Sequence, residues 1–178
     1  IALTCHKLLF PDNPSILVNG HNLNVILCYH FFENCGYNVS FISNENTTGV
    51  ISNNGHNYNI VSVNDYIEDE TKILAANIDY VFIVGSTDKT LNTFLNKKST
   101  PIIYLMMGNV YINDLDCIIY KIHDVGPPVD RNNYNQIWVS PHFEYSIDYY
   151  KIRYGIEDIC VGPYIWGDDV VKNKKTMV

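Results

Sequence analysis

Two apolar runs, "IDYVFIVGS" (78–86) and "TPIIYLMMGN" (100–109), flank a stretch with helical spacing, "DKTLNTFLNKKS" (88–99). Neither run alternates, so both faces of each strand must be covered. Asp88 in the first turn of the intervening helix and lysines in its last turn match the helix dipole. A strand–helix–strand unit of this kind makes a parallel pair with a right-handed crossover, and it constrains the rest of the chain to extend the same sheet.

The flanking segments repeat the alternation. "IALTCH" reads as a short strand, and the two prolines and terminal Gly20 of "PDNPSILVNG" make a loop. Leu23, Ile26, Leu27, His30 and Phe31 recur at three and four residues, predicting an amphipathic helix from His21 that ends on Gly36 as its cap. "YNVSFIS" alternates as a strand. The stretch 44–65 reads as turn, strand, Asn-Asn-Gly turn and strand, and "EDETKILAA" as a short helix. "VYINDLDCIIYK" fits helix or strand. After the break "HDVGPPVDRNN", "QIWVSP" is a short strand, "HFEYSIDYYKIRYG" a helix capped by Gly155, and "EDICVGPYIW" a final strand. The expected fold class is α/β: a Rossmann-like open, mostly parallel sheet with helices on both faces. At 178 residues the chain is too short for an eight-stranded barrel, which needs about 250.

Apolar residues make up 47% of the chain and charged residues 17%. That is a globular balance. Residues 1–166 are expected to form one domain, with 167–178 as linker or the start of a further domain; Ile1 at the start suggests a piece of a longer protein. The net charge of −7 argues against a nucleic-acid partner. No apolar run reaches the length of a transmembrane segment, roughly 18 residues. Five cysteines without CxxC spacing point to reduced thiols and a cytoplasmic, reducing compartment. Cys28 and Cys35, seven residues apart, are placed on one helix face but two turns distant.

Open parallel sheets bind ligands beyond the carboxyl ends of their strands. The loops expected there carry Asn19, Gly20, His21 and Asn22 after the first strand, Gly85 and Ser86 after "VFIV", Gly108 and Asn109 after "IIYLMM", and His142 and Phe143 after "IWVS". His21 and His142 each follow a strand and open a helix, where the dipole favours the neutral imidazole that a general base requires. A capping or ligand-contacting role needs nothing more, and both readings stay open. GxGxxG, GxxxxGK[ST] and GxSxG are absent. The six histidines show no HExxH or paired spacing, and Asp114-Leu115-Asp116 is a weak DxD, so no metal site is expected.

Four segments carry a resemblance: "NGHNLNVILCYHFFENCGYNVSFIS", "MGNVYINDLDCIIY", "IWVSPHFEYSIDYYKIRYG" and "VGPYIW". In this order, over about half the chain, they resemble the NG-x-NQN helix, the GN-x-Y-x-x-D segment, the W-x-x-PHF segment and the VPYIW of the DUF2827 family, which is GT-B-like. Gly162 and Pro163 stand where that family has Val-Pro, and Leu23 where it has glutamine. The resemblance implies the amino-terminal, acceptor-side half of a metal-independent GT-B glycosyltransferase. The nucleotide-sugar is then a co-substrate held mainly by a missing carboxyl-terminal half, with no other cofactor. It also assigns Asn19, Gly20, His21 and Asn24 to the first acceptor loop, Gly108 and Asn109 to a second, and Pro141, His142 and Phe143 to a third. Tyr164 and Trp166 fall at the interdomain junction. The rival reading is a non-catalytic Rossmann-like module that binds carbohydrate or protein.

Overall fold

The computed structural model describes residues 1–5, 20–44, 47–53, 55–68, 78–84, 91, 94–95, 97–106, 135–139, 141–154 and 157–162. Its frame is one eight-stranded sheet made of β1 (Ala2–Cys5), β2 (Ser40–Ser43), β3 (Gly49–Asn53), β4 (His56–Ser62), β5 (Val81–Val84), β6 (Ile102–Met106), β7 (Gln136–Val139) and β8 (Ile159–Val161). The strands run in the order β3-β4-β2-β1-β5-β6-β7-β8. All pairings are parallel except β3 with β4. The α/β class and the mostly parallel sheet expected from the alternation are therefore present.

Period-two alternation divides the core into two layers. On one face Ala2, Val81, Ile83, Ile102, Tyr104, Ile137 and Val139 join Tyr66, Leu91, Leu95 and Tyr150. On the other, Leu3, Cys5, Phe41, Tyr58, Ile60, Phe82, Val84 and Ile103 meet the buried side of helix α1 (Gly20–Asn34). Each central strand thus contributes to both layers, which is why "VFIV" and "IIYL" show no polar alternation.

Helix α1 ends as its Gly36 predicts. The N–H of Gly36 donates to the Glu33 carbonyl at 2.9 Å and that of Tyr37 to Phe32 at 3.1 Å, with Gly36 at φ +87°, a left-handed cap. The buried face differs from the expected one. Val25, Cys28, Tyr29 and Phe32 are buried with Ile26, whereas Leu23, Leu27, His30 and Phe31 are only partly covered. The helix carries apolar side chains nearly all round, so its spacing allows several phases, and the large Tyr29 and Phe32 rings take the inner one. Cys28 and Cys35 do not share a face: Cys28 is buried and Cys35 lies exposed beyond the last helical residue.

Two other boundaries move. The strand expected to run on to Asp65 stops at Ser62, and α2 (Val63–Glu68) begins at once, its Asp65 accepting a hydrogen bond from the Thr48 hydroxyl. Of the helix expected across "EDETKILAA" only Glu68 is described, as the last residue of α2, and the rest of that segment lies outside the described residues. "HFEYSIDYYKIRYG" is not one helix: a 3-10 stretch, Pro141–Ser146, bends at Phe143 (φ −114°, ψ 18°) before α3 (Ile147–Tyr154). The Ser146 hydroxyl donates to the Phe143 carbonyl at 2.6 Å across that bend.

Candidate functional site

Strand order locates the place where a parallel sheet of this type opens. Chain connections run outward in opposite directions from β1, to β2 and β4 on one side and to β5, β6, β7 and β8 on the other. The switch point falls between the carboxyl ends of β1 and β5. At that junction the hydroxyl of buried Thr4 accepts the Val84 N–H at 3.3 Å. A donor at the end of the shared ladder is thereby satisfied. Beside it, burial pushes the Cys5 thiol up to about 12, outweighing a hydrogen bond with Ser43 that acts the other way. Such a thiol stays protonated and is no nucleophile.

The sequence-selected residues distribute around this edge unevenly. Gly20 is the first residue of α1 and His21 the second, while Asn24 is half-buried in the second turn. His142 and Phe143 belong to the 3-10 stretch that follows β7. Phe143 packs on the core layer opposite α1, so Asn24 and Phe143 belong to different faces of the sheet. Asn19, Gly85, Ser86, Gly108, Asn109, Tyr164 and Trp166 lie outside the described residues, as does Asp114-Leu115-Asp116. Gly162 is described: a Cβ there would lie 3.3 Å from Trp138 Cβ, so the Trp138 side chain occupies the space that a valine would need.

The amino edge carries two further features. A cleft of about 640 Å³ is walled by Tyr37, Asn38, Thr48, Asn59 and Asp79 with other residues, including Ile1. It lies at the opposite edge from the carboxyl ends of the strands, where parallel sheets commonly take ligands.

The second feature is a group of polar rings that sequence spacing did not single out. His30 and Glu33, three residues apart near the end of α1, meet His56 at the start of β4. His30 Nδ1 lies 3.7 Å and His56 Nε2 3.4 Å from the same oxygen, Glu33 Oε2. His30 Nε2 shares a 2.9 Å hydrogen bond with the Tyr58 hydroxyl. Burial, then Tyr29 and Glu33, push the Tyr58 phenol up to about 12, so it remains an O–H. The rings pack edge to face or tilted, with His30–His56 centroids 4.6 Å apart and His56–Tyr58 centroids 4.5 Å apart. The available signal was the His-x-x-Glu spacing on a helix, but its third member comes from a hairpin more than twenty positions away.

Comparison of the chain with protein-family models, with curated proteins and with solved structures finds no match in any of the three. Among the described residues no helix is long and apolar enough to cross a membrane. Cys5, Cys28, Cys35 and Cys160 are all free thiols.

Proposed function

We propose that this chain is the acceptor-binding, amino-terminal half of a GT-B glycosyltransferase, which moves a sugar from a nucleotide-sugar to a glycan or other hydroxyl acceptor. The observation that supports it most is the strand order β4-β2-β1-β5-β6-β7, which matches the Rossmann sequence of strands about a switch point. In chain order the selected residues follow four neighbouring strands: Asn19, Gly20 and His21 come after β1, Gly85 and Ser86 after β5, Gly108 and Asn109 after β6, and His142 after β7.

In this reading a neutral His21 or His142 takes the proton from the acceptor hydroxyl as its oxygen bonds to the anomeric carbon. The bond from that carbon to the diphosphate breaks, and the nucleoside diphosphate leaves with the electron pair. The donor half, proposed to lie in a longer protein, supplies the nucleotide-sugar contacts. A cleft with one wall binds small sugars weakly and cannot hold the two substrates in reacting geometry. NMR titration of this chain should therefore show weak binding of acceptor sugars, none of nucleotide-sugars, and a coupled transferase assay should show no turnover. Tight binding of a nucleotide-sugar, or turnover by this chain alone, overturns the assignment.

A further inference from the structure

We infer that His30, Glu33 and His56 form a binding site for a divalent cation of the zinc class, which ties the β3–β4 hairpin to α1. One donor atom from each of the three side chains lies within 4.8 Å of the others. Zinc bound tetrahedrally at about 2.0–2.2 Å sets its donors about 3.4 Å apart. The Glu33–His56 separation of 3.4 Å already meets that spacing, and the His30–Glu33 separation of 3.7 Å is close to it. Side-chain torsion closes the remainder.

Two further observations point to a cation rather than to a chance meeting of surface groups. His56 Nε2 is shut off from solvent and makes no hydrogen bond among the described residues, although Glu33 Oε2 is near. A shielded ring nitrogen without a hydrogen-bond partner is costly, and a metal ion is a partner that accepts its lone pair. His30, in turn, is held from behind. With its ring proton on Nε2 donated to Tyr58 Oη at 2.9 Å, Nδ1 presents a lone pair on the Glu33 side. Tyr58 is thus a positioning residue, and the packing of its ring against His56 fixes the second imidazole as well.

Two imidazoles and one carboxylate suit zinc and its neighbours in the first transition row, not magnesium or calcium, which take oxygen ligands. Three protein ligands leave a fourth position for water. The site is at the amino edge of the sheet, away from the carboxyl ends of its strands, and it joins the end of α1 to the residue that follows the hairpin turn. Its role is therefore structural, and it stands independently of the glycosyltransferase reading.

The test uses the full chain without a histidine tag, stripped with a chelator. Calorimetric titration with Zn²⁺ should show one site per chain, and Tm should rise with Zn²⁺ and stay constant with Mg²⁺. Glu33→Gln and His56→Asn should each weaken Zn²⁺ binding by at least about a hundredfold, beyond the range of an outer-shell partner, and Tyr58→Phe by about ten- to a hundredfold. Metal-free Glu33→Gln should melt with the parent, because Glu33 is exposed. Cobalt loading should give visible d–d bands without a near-ultraviolet thiolate band, separating this site from exposed Cys35. Absence of a Zn²⁺-dependent rise in Tm, undiminished affinity in Glu33→Gln and His56→Asn, or a thiolate band overturns the proposal.

Discussion

Ile83 on β5 and Val50 on β3 are both β-branched residues in strands of one sheet, yet Ile83 is fully buried and Val50 is 61% exposed. The contrast extends to their neighbours. Every residue of β5 is buried, whereas β3 has none buried and, among the described residues, is the outermost strand on its side of the sheet. Central strands hold by removing apolar area from water. The hairpin holds through particular polar bonds: Thr48 to Asp65 and to the Ser62 N–H, Ser52 to Asn57, and the ring cluster around Tyr58. A short, polar outer strand also discourages pairing with another chain, which a strand like β5 would invite at an edge. One sheet thus combines a region where volume decides stability with a region where individual hydrogen bonds do.

The sharpest test of that division is a pair of truncations. Ile83→Ala should cost about 2–5 kcal/mol, because it removes buried methyl groups and leaves a cavity. Val50→Ala should stay within about 0.5 kcal/mol. Urea denaturation of both variants measures the difference, and equal losses would erase the distinction. The next largest effect comes from alkali. Burial pushes Cys5 and Cys28, both in the layer under α1, from 9.0 up to about 12. Between those values the unfolded chain has lost its thiol protons and the folded chain has kept them, so stability is full below about 9 and falls as pH rises toward about 12. The fall should reach a few kcal/mol, at about 1.4 kcal/mol per pH unit of displacement. Denaturation midpoints against pH should flatten in a Cys5→Ala/Cys28→Ala variant; an unchanged slope there would remove the thiols as its cause.

The same division explains what could be seen in the sequence. "VFIV" and "IIYL" were legible as strands because burial on both faces leaves a run of apolar letters. The Asn-Asn-Gly turn was legible because a two-residue loop of this kind favours Asn and Gly. Asn53 does pair with His56 around it, with Gly55 at φ 78°. Helix α1 was legible as a helix but not in its phase, since Leu23, Leu27 and Phe31 compete with Val25, Tyr29 and Phe32 for the same pattern. The start of α2 was hidden because Val63 continues the β-branched run of "NIVSV", and the Thr48–Asp65 bond that accompanies the turn joins residues seventeen apart. His30, Glu33 and His56 were hidden for a related reason: a cluster built between a helix end and a hairpin has no fixed spacing. The carboxyl-edge residues were chosen by fold logic, which the strand order supports, while the contacts of their side chains follow from no periodicity.

On the polar side of the comparison, Thr48→Val keeps the shape of the side chain and removes its hydroxyl. That hydroxyl donates to Asp65 and accepts the Ser62 N–H at 2.9 Å, so both partners lose their mate. A loss of about 1–3 kcal/mol is expected, with amide exchange at Ser62 accelerated, and a neutral outcome would mean that apolar packing also governs this edge.

The smallest effect falls at the joint between the two regions. Gly36 ends α1 and turns the chain toward β2, and a Cβ added there meets no atom within 4 Å. Space is therefore not the issue. Its φ of +87° is a left-handed conformation that costs an ordinary side chain about 1–2 kcal/mol, and alanine recovers part of that by restricting the unfolded chain. Gly36→Ala should lower stability by about 1 kcal/mol, and Gly36→Asn by less, because asparagine tolerates this conformation. If both variants unfold at the parent midpoint, the hydrogen bonds from the Gly36 and Tyr37 N–H groups, rather than the freedom of glycine, are what end the helix.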